Sequence, residues 1–197
     1  MLTILIPAAG SATRMRGGDK LLEPVHGQPM LRHQARLALA VTPDVLITLR
    51  DPDPARLQAL HGLTVTIIPV PDAASGMSAS LRRAAHVQTA LMILPADMPD
   101  LTEADLFALS NAHAQTPGII LRGASQNGEP GHPVILPAAL VPELALLTGD
   151  EGARSLLRRH HAHLFPLLDN HAITDLDTPE DWNVWRDSKP TEPANLV

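Results

Sequence analysis

The sequence predicts an α/β fold, a Rossmann-like, doubly wound and mainly parallel sheet covered by helices. Three observations point there. Short apolar runs alternate with helical patterns through the first 120 residues. Hydrophobic residues make up 45% of the chain but aromatics only 2%, so the core is aliphatic, as buried parallel strands require. The first run, Leu2-Thr3-Ile4-Leu5-Ile6, stops at Pro7-Ala8-Ala9-Gly10 and empties into a small, polar, Gly-bearing loop.

The elements follow in order. Residues 2–6 form the first strand. Residues 29–40 are a helix with Pro29 near its start. Residues 45–49 are a strand, 54–60 a short helix, 65–70 a strand and 78–86 a helix opened by Ser75 or Ser78. Residues 91–94 are a strand ending at Pro95-Ala96-Asp97. Residues 102–112 are a helix in which Thr102 and Asp105 have capping-box spacing. Residues 118–121 are the fifth strand. The rhythm then changes. Residues 123–131 form a polar turn and 133–136 an extended run able to return as an antiparallel hairpin. Helices are expected over 137–147 and 152–160, with extended segments at 164–168 and 173–176. Thr178-Pro179-Glu180-Asp181 supplies a cap, a first-turn proline and first-turn acids for a last helix. The reading is one domain over 1–187 with a flexible tail at 188–197.

Net charge is −6, which disfavours a general nucleic-acid surface. No run is long enough for a membrane span, and the start lacks a basic region like a signal peptide's. With no cysteine, thiolate chemistry and disulfides are excluded. The expected location is the cytoplasm.

The first loop, Ser11-Ala12-Thr13-Arg14-Met15-Arg16-Gly17-Gly18-Asp19-Lys20, carries three cations. Small residues let backbone N–H groups approach an anion, and Arg14, Arg16 and Lys20 add fixed charge. It is neither a Walker loop nor a G-x-G-x-x-G fingerprint. It resembles the nucleotidyltransferase signature A-A-G-x-x-x-R-M-x-x-x-x-K-L-L, through Ala8-Ala9-Gly10, Arg14-Met15, Gly17 and Lys20-Leu21-Leu22. Four further segments are similar to those of the molybdenum cofactor cytidylyltransferases: Ser75-Gly76-Met77-Ser78-Ala79-Ser80-Leu81, Leu94-Pro95-Ala96-Asp97-Met98-Pro99, Gly131-His132-Pro133-Val134 and Gly149-Asp150-Glu151-Gly152-Ala153-Arg154. The closing Asp175-Leu176-Asp177-Thr178-Pro179-Glu180-Asp181 matches too. One departure is Arg16, inserted where the commoner loop has Gly directly after Arg-Met.

The resemblance implies a sheet of the nucleotide-diphospho-sugar transferase type with an antiparallel addition in the C-terminal half. It implies transfer of CMP from CTP to the terminal phosphate of molybdenum-molybdopterin, with Mg2+ and release of pyrophosphate. Ala9 favours a cytidylyl donor, because guanylyl-transferring relatives usually carry Gly there. A molybdoenzyme or its chaperone is the implied partner; nucleic acid and membrane are not. Another nucleotide donor, a sugar or alcohol phosphate acceptor, or a non-catalytic cofactor-delivery role are the alternatives.

Such chemistry is positioning plus charge stabilisation. The nucleotide-binding candidates are Ala8, Ala9, Gly10, Ser11, Arg14, Arg16, Gly17 and Lys20, then Ser75, Gly76, Met77 and Ser78. Lys20, Arg14 and Asp97 are the catalytic candidates. Lys20 is assigned to the α-phosphate and Arg14 to the β- and γ-phosphates; Arg16 could instead face solvent. Asp97, at the carboxyl end of a central strand, is a Mg2+ ligand candidate. Asp177 is the second, unless Asp175 takes that place or Asp177 caps the last helix. The Ser75–Ser78 segment could hold base, ribose or acceptor phosphate on helix N–H groups, or be an ordinary helix start. His132, Asp150 and Arg154 are the acceptor candidates. The last two could equally be an i,i+4 helix pair. His160, His161, His163 and His171 lack persuasive zinc spacing.

Overall fold

The computed structural model describes residues 1–11, 13–150 and 152–189. A seven-stranded sheet runs through the molecule. Its strands are β1 (Leu2–Pro7), β4 (Val45–Leu49), β5 (Thr66–Pro69), β6 (Ala90–Ile93), β7 (Ile120–Ala124), β8 (Pro130–Leu136) and β9 (Ala162–Pro166). A two-stranded ribbon, β2 (Pro24–Val25) and β3 (Gln28–Pro29), was not expected from the sequence. The spatial order is β5-β4-β1-β6-β8-β7-β9. β1, β4, β5 and β6 pair in parallel. β8 is antiparallel to both β6 and β7, and β9 is parallel to β7. β8 is therefore the one reversed strand of the sheet, and it forms the expected hairpin with β7.

Both faces of the sheet are covered. Ile4 and Ile6 pack into one aliphatic cluster with Leu31, Ala35, Ala38, Leu106 and Leu109, from α1 (Met30–Val41) and α4 (Glu103–Gln115). Leu5, between them, points the other way into a cluster with Leu81, Val141, Leu144 and Leu156. Strand periodicity of two explains this division, and continuous apolarity in β1 follows from burial on both sides. Thr102 and Asp105 form a true capping box on α4, and Thr178 and Asp181 form another on α6 (Pro179–Ser188).

Several expected spans change. Pro29 sits just before α1 rather than in its first turn. The helix expected over 78–86 is α3 (Met77–Arg82). Beyond it Ala84, Ala85 and Val87 donate to Leu81, Arg82 and Ala84, the tighter three-residue spacing. The span 137–147 is a 3-10 segment, Ala138–Leu146, with Pro142 inside it; proline lacks the N–H an α-helix needs. The helix expected over 152–160 is α5 (Arg154–Arg159). Gly149 and Gly152, with φ of 64° and 57°, hold its approach in a left-handed turn. β9 starts two residues before the expected strand because pairing with β7 sets its register, and Leu168 lies outside it, exposed. Residues 173–176 join no sheet; Leu176 N–H instead donates to the Asp97 carbonyl at 3.2 Å. Of the expected tail, Pro190–Val197 lie outside the described residues. Ser188 ends α6, and Lys189 is ion-paired with Asp100 at 2.5 Å.

Among the described residues no helix is long and apolar enough to cross a membrane.

Candidate active site

β1 ends where the central strands open, and the loop that follows is fixed at several points. Ala8 and Ala9 are buried. Ala8 N–H donates to the Thr48 carbonyl at 3.0 Å, and Ala9 packs with Val70 and Ala79. Their side chains are packing groups, so any part they take in binding is through the backbone. Gly10 and Ser11 are exposed. Met15, in a 3-10 turn (Thr13–Met15), is buried with Val25, Met30, Leu176, Trp182 and Trp185. The loop is thus anchored to α6. Arg16 has φ +50°, its side chain is mostly exposed, and it pairs with Glu180 at 2.8 Å; Gly17 beside it is exposed.

Lys20 is the centre of the arrangement. Its Nζ donates to Asp97 Oδ2 at 2.5 Å and to Asp177 Oδ1 at 2.6 Å. Arg14 Nη1 pairs with the other Asp177 oxygen at 2.5 Å. Burial alone would lower the Lys20 pKa. Attraction to Asp97 and hydrogen bonds from Asp177 and Asp97 outweigh it, and the pKa stands above the ordinary lysine value. Lys20 is 19% exposed, so it is not a solvated loop lysine. Asp97 serves no helix, and Thr178, not Asp177, caps α6. Asp175 is not in a strand. Burial, then Asp97 and Asp177, push its carboxyl above the usual range, so it shares the same electrostatic environment.

The donor set is oxygen only, two carboxylates meeting at one cation beside an anion-binding loop, which suits a hard divalent ion with phosphate oxygens completing its shell. Among the described residues no three His, Asp or Glu side chains gather as a metal cage. His160, His161 and His163 line a cleft of about 640 Å3 with Arg122 and Arg158, away from Lys20. His171 pairs with Asp105 at 2.8 Å.

Ser75–Ser78 differs from the expectation of free helix-start donors. Ser78 N–H already donates to the Gly149 carbonyl at 3.2 Å, and the buried Ser78 hydroxyl accepts from Arg82 at 3.1 Å. Ser75 ends a separate 3-10 turn, and the Met77 side chain is 45% exposed. Gly76 has φ +101°, and a Cβ there would lie 2.2 Å from Asp150 Oδ1 and 2.7 Å from the Gly149 carbonyl carbon. The two sequence motifs are packed face to face. Asp150 precedes α5 and is exposed, so it and Arg154 are not a pair within that helix. Glu151 and Ala12 lie outside the described residues.

His132 lies half-buried on β8, between the buried Gly131 and Pro133. A Cβ on Gly131 would lie 1.9 Å from the Ala172 carbonyl oxygen, and His132 N–H donates to that oxygen at 2.7 Å. Burial, then the positive charge of Arg122, lower the His132 pKa to about 4. Asp97 opposes this and Arg154 adds to it. The acceptor candidate His132 is thus in electrostatic reach of both Arg154 and Asp97. Arg122, which the motifs do not mark, joins them; its guanidinium donates to the Gly131 and Pro130 carbonyls.

Sequence reasoning also missed Arg56 and Asp19. Arg56, on α2 (Pro54–Ala59), is the one buried arginine among the described residues. Its Nε and Nη2 donate to the two Asp19 oxygens at 2.8 and 2.9 Å, and its Nη1 to the Ala8 and Gly10 carbonyls at 2.6 and 3.0 Å. The only local signal was the cap Asp53-Pro54 that starts α2.

A mainly parallel sheet whose first strand opens into a cationic loop, facing one carboxylate beyond β6 and another just before α6, is the arrangement of a nucleotidyltransferase. Residues 4–164 match the model of the MobA-like NTP transferase domain, and the chain belongs to that family. It is 31% identical over 185 residues to the molybdenum cofactor guanylyltransferase of Pseudomonas fluorescens Pf0-1, covering 90% of each chain. It is 27% identical to the nicotine blue oxidoreductase of Paenarthrobacter nicotinovorans, covering 91% of this chain and 93% of that one. The crystal structure of Rv0371c from Mycobacterium tuberculosis H37Rv superposes with a TM-score of 0.79 at 24% identity, covering 95% of this chain and 98% of that one.

Proposed function

We propose that the protein transfers CMP from CTP to the terminal phosphate of a molybdenum-molybdopterin acceptor, with Mg2+. The observation that carries the reaction class is Lys20 held between Asp97 and Asp177 with Arg14 alongside. An acceptor phosphate oxygen attacks the α-phosphorus, the bond from that phosphorus to the bridging β-oxygen breaks, and pyrophosphate leaves. Lys20 and Arg14 exchange carboxylate partners for phosphate oxygens. Lys20 follows charge developing at the α-phosphate, and Arg14 holds the β- and γ-phosphates. Asp97 and Asp177 would hold the divalent ion, which when bound supplies neutralisation of phosphate charge and Lewis acidity. His132 and Arg154 orient the acceptor on the reversed side of the sheet, and a molybdoenzyme or its chaperone receives the product.

The cytidylyl donor is supported by Ala9, whose methyl group packs against Val70 and Ala79 at the turn after β1. A second reading has a specific observation behind it: the Pseudomonas relative at 31% identity is a guanylyltransferase. One experiment separates them, pyrophosphate release from CTP, GTP, ATP and UTP with Mg2+ and purified molybdopterin acceptor. Fastest release from CTP is expected. Faster release from GTP replaces the cytidylyl reading with the guanylyl one, and release with none of the four removes the molybdopterin acceptor.

A further inference from the structure

Lys20 sits on a loop, and a loop lysine can bridge two carboxylates only if its backbone is held still. What holds it is visible one residue earlier. Asp19 Oδ1 accepts from the Leu21 N–H at 3.0 Å, a side-chain turn that spans Lys20 itself. Both oxygens of that same carboxylate are gripped by the guanidinium of Arg56, in the planar two-point geometry that arginine offers and lysine does not. The remaining arm of Arg56 holds Ala8 and Gly10, where the chain leaves β1. One buried side chain therefore ties the first and last turns of the phosphate loop together.

Burying a guanidinium is costly unless its N–H groups find acceptors. Apart from Asp53 of its own helix start, every acceptor Arg56 finds belongs to this loop. Among the described residues it makes no such bond to the distant core strands. Its bonding is spent on the geometry of residues 8–21.

We propose that Arg56, acting through Asp19, is a positioning residue for Lys20. It touches neither substrate nor metal. It sets where the Lys20 ammonium stands relative to Asp97 and Asp177. This rests on the reading of Lys20 given above, and the test judges the two separately.

The chain has only two lysines, Lys20 and Lys189. Labelling with lysine enriched in 13C at Cε gives two side-chain NMR signals, and Lys20→Ala identifies which is which. In Arg56→Met the Lys20 signal is expected to shift or broaden while the Lys189 signal, on its own partner Asp100, stays in place. Arg56→Lys, which adds a third labelled signal of its own, should restore the Lys20 signal only in part, because an ammonium lacks the fork. Asp19→Asn is the second variant. It leaves the carbonyl bonds of Arg56 available and should move the Lys20 signal in the same direction, which keeps the question decidable if Arg56→Met does not fold. An unmoved Lys20 signal in a folded variant overturns the proposal; so does equal movement of both signals, which marks general damage.

The second arm is a rate cycle at saturating substrates. Arg56→Met is expected to slow single turnover by on the order of 10²-fold, as a misplacement of about 1 Å can do. Added to Lys20→Ala, it should cost less than about threefold more, since its action passes through that lysine. Losses that multiply overturn the proposal. A Lys20→Ala protein as fast as the wild type would remove the catalytic reading of Lys20 while the NMR result still decides whether Arg56 positions it.

Discussion

Lys20 and Asp97 stand 77 positions apart in sequence and 2.5 Å apart in space. The lysine comes from the loop after β1, and the aspartate from the end of β6, which pairs directly with β1. Adjacent parallel strands deliver both groups to the same edge of the sheet. Topology sets the edge at which the pair forms, and the loop after β1 carries Lys20 to it.

Replacing Lys20 by Ala is expected to cut the saturated rate by about 10²–10³-fold, the usual loss for one preorganised charge stabiliser. Nucleotide affinity should change far less, because the ammonium interacts more strongly with charge moving toward pyrophosphate than with bound substrate. Single-turnover rate and nucleotide dissociation constant, measured on the same protein, give the split. Collapse of affinity with a surviving rate would make Lys20 a ground-state anchor.

Asp97→Asn should leave the fold intact and remove metal-dependent turnover. The amide keeps the shape of the carboxylate but not the charge a hard cation requires. Turnover measured across a magnesium titration is the check. Activity within a few-fold of wild type at limiting magnesium would rule Asp97 out as a principal ligand.

Gly76→Ala should be destabilising although only a methyl group is added. The backbone at φ +101° is strained for any L side chain, and the new atom would meet Gly149 backbone at 2.7 Å. A loss of about 1–3 kcal/mol is expected from the strain alone, read from urea unfolding. A change within experimental error would mean the two motifs separate easily.

His132 gives a pH-dependent signature. Its folded pKa of about 4 lies below the ordinary histidine value of 6.5, so the unfolded chain binds the extra proton first. Its contribution is therefore fully present above about pH 6.5 and is lost as pH falls through the window down to about 4. At 1.36 kcal/mol per pKa unit, the loss is on the order of 3 kcal/mol. The His132→Gln protein should show a shallower fall in stability between pH 7 and 4 than the wild type. Parallel curves would exclude the effect.

The strand alternation was legible because burial on both faces leaves unbroken apolar runs such as Ile4-Leu5-Ile6. Helix starts were legible where Thr102 and Thr178 carry their caps. Extents were less so. Pro142 converts an apolar helical pattern into a 3-10 segment, and β9 takes its bounds from pairing that no local pattern contains. In the site, Arg14, Lys20, Asp97 and Asp177 converge as their motifs suggested. Ser78 was misjudged because its N–H partner, Gly149, comes from a distant segment. Arg56 was invisible for a related reason: on a six-residue helix it reads as an ordinary surface charge until the fold buries it.

Met15 is buried in one cluster with Trp182, and that shared packing sets an order of events during synthesis. A ribosome releases the phosphate loop early, but the indole that packs with it and the carboxylate of Asp177 emerge much later. Until then a nascent chain holds the loop and Asp97 without their closing wall. Termination ahead of α6 should therefore yield a loop that lacks this wall, and the site is complete only once α6 has been translated.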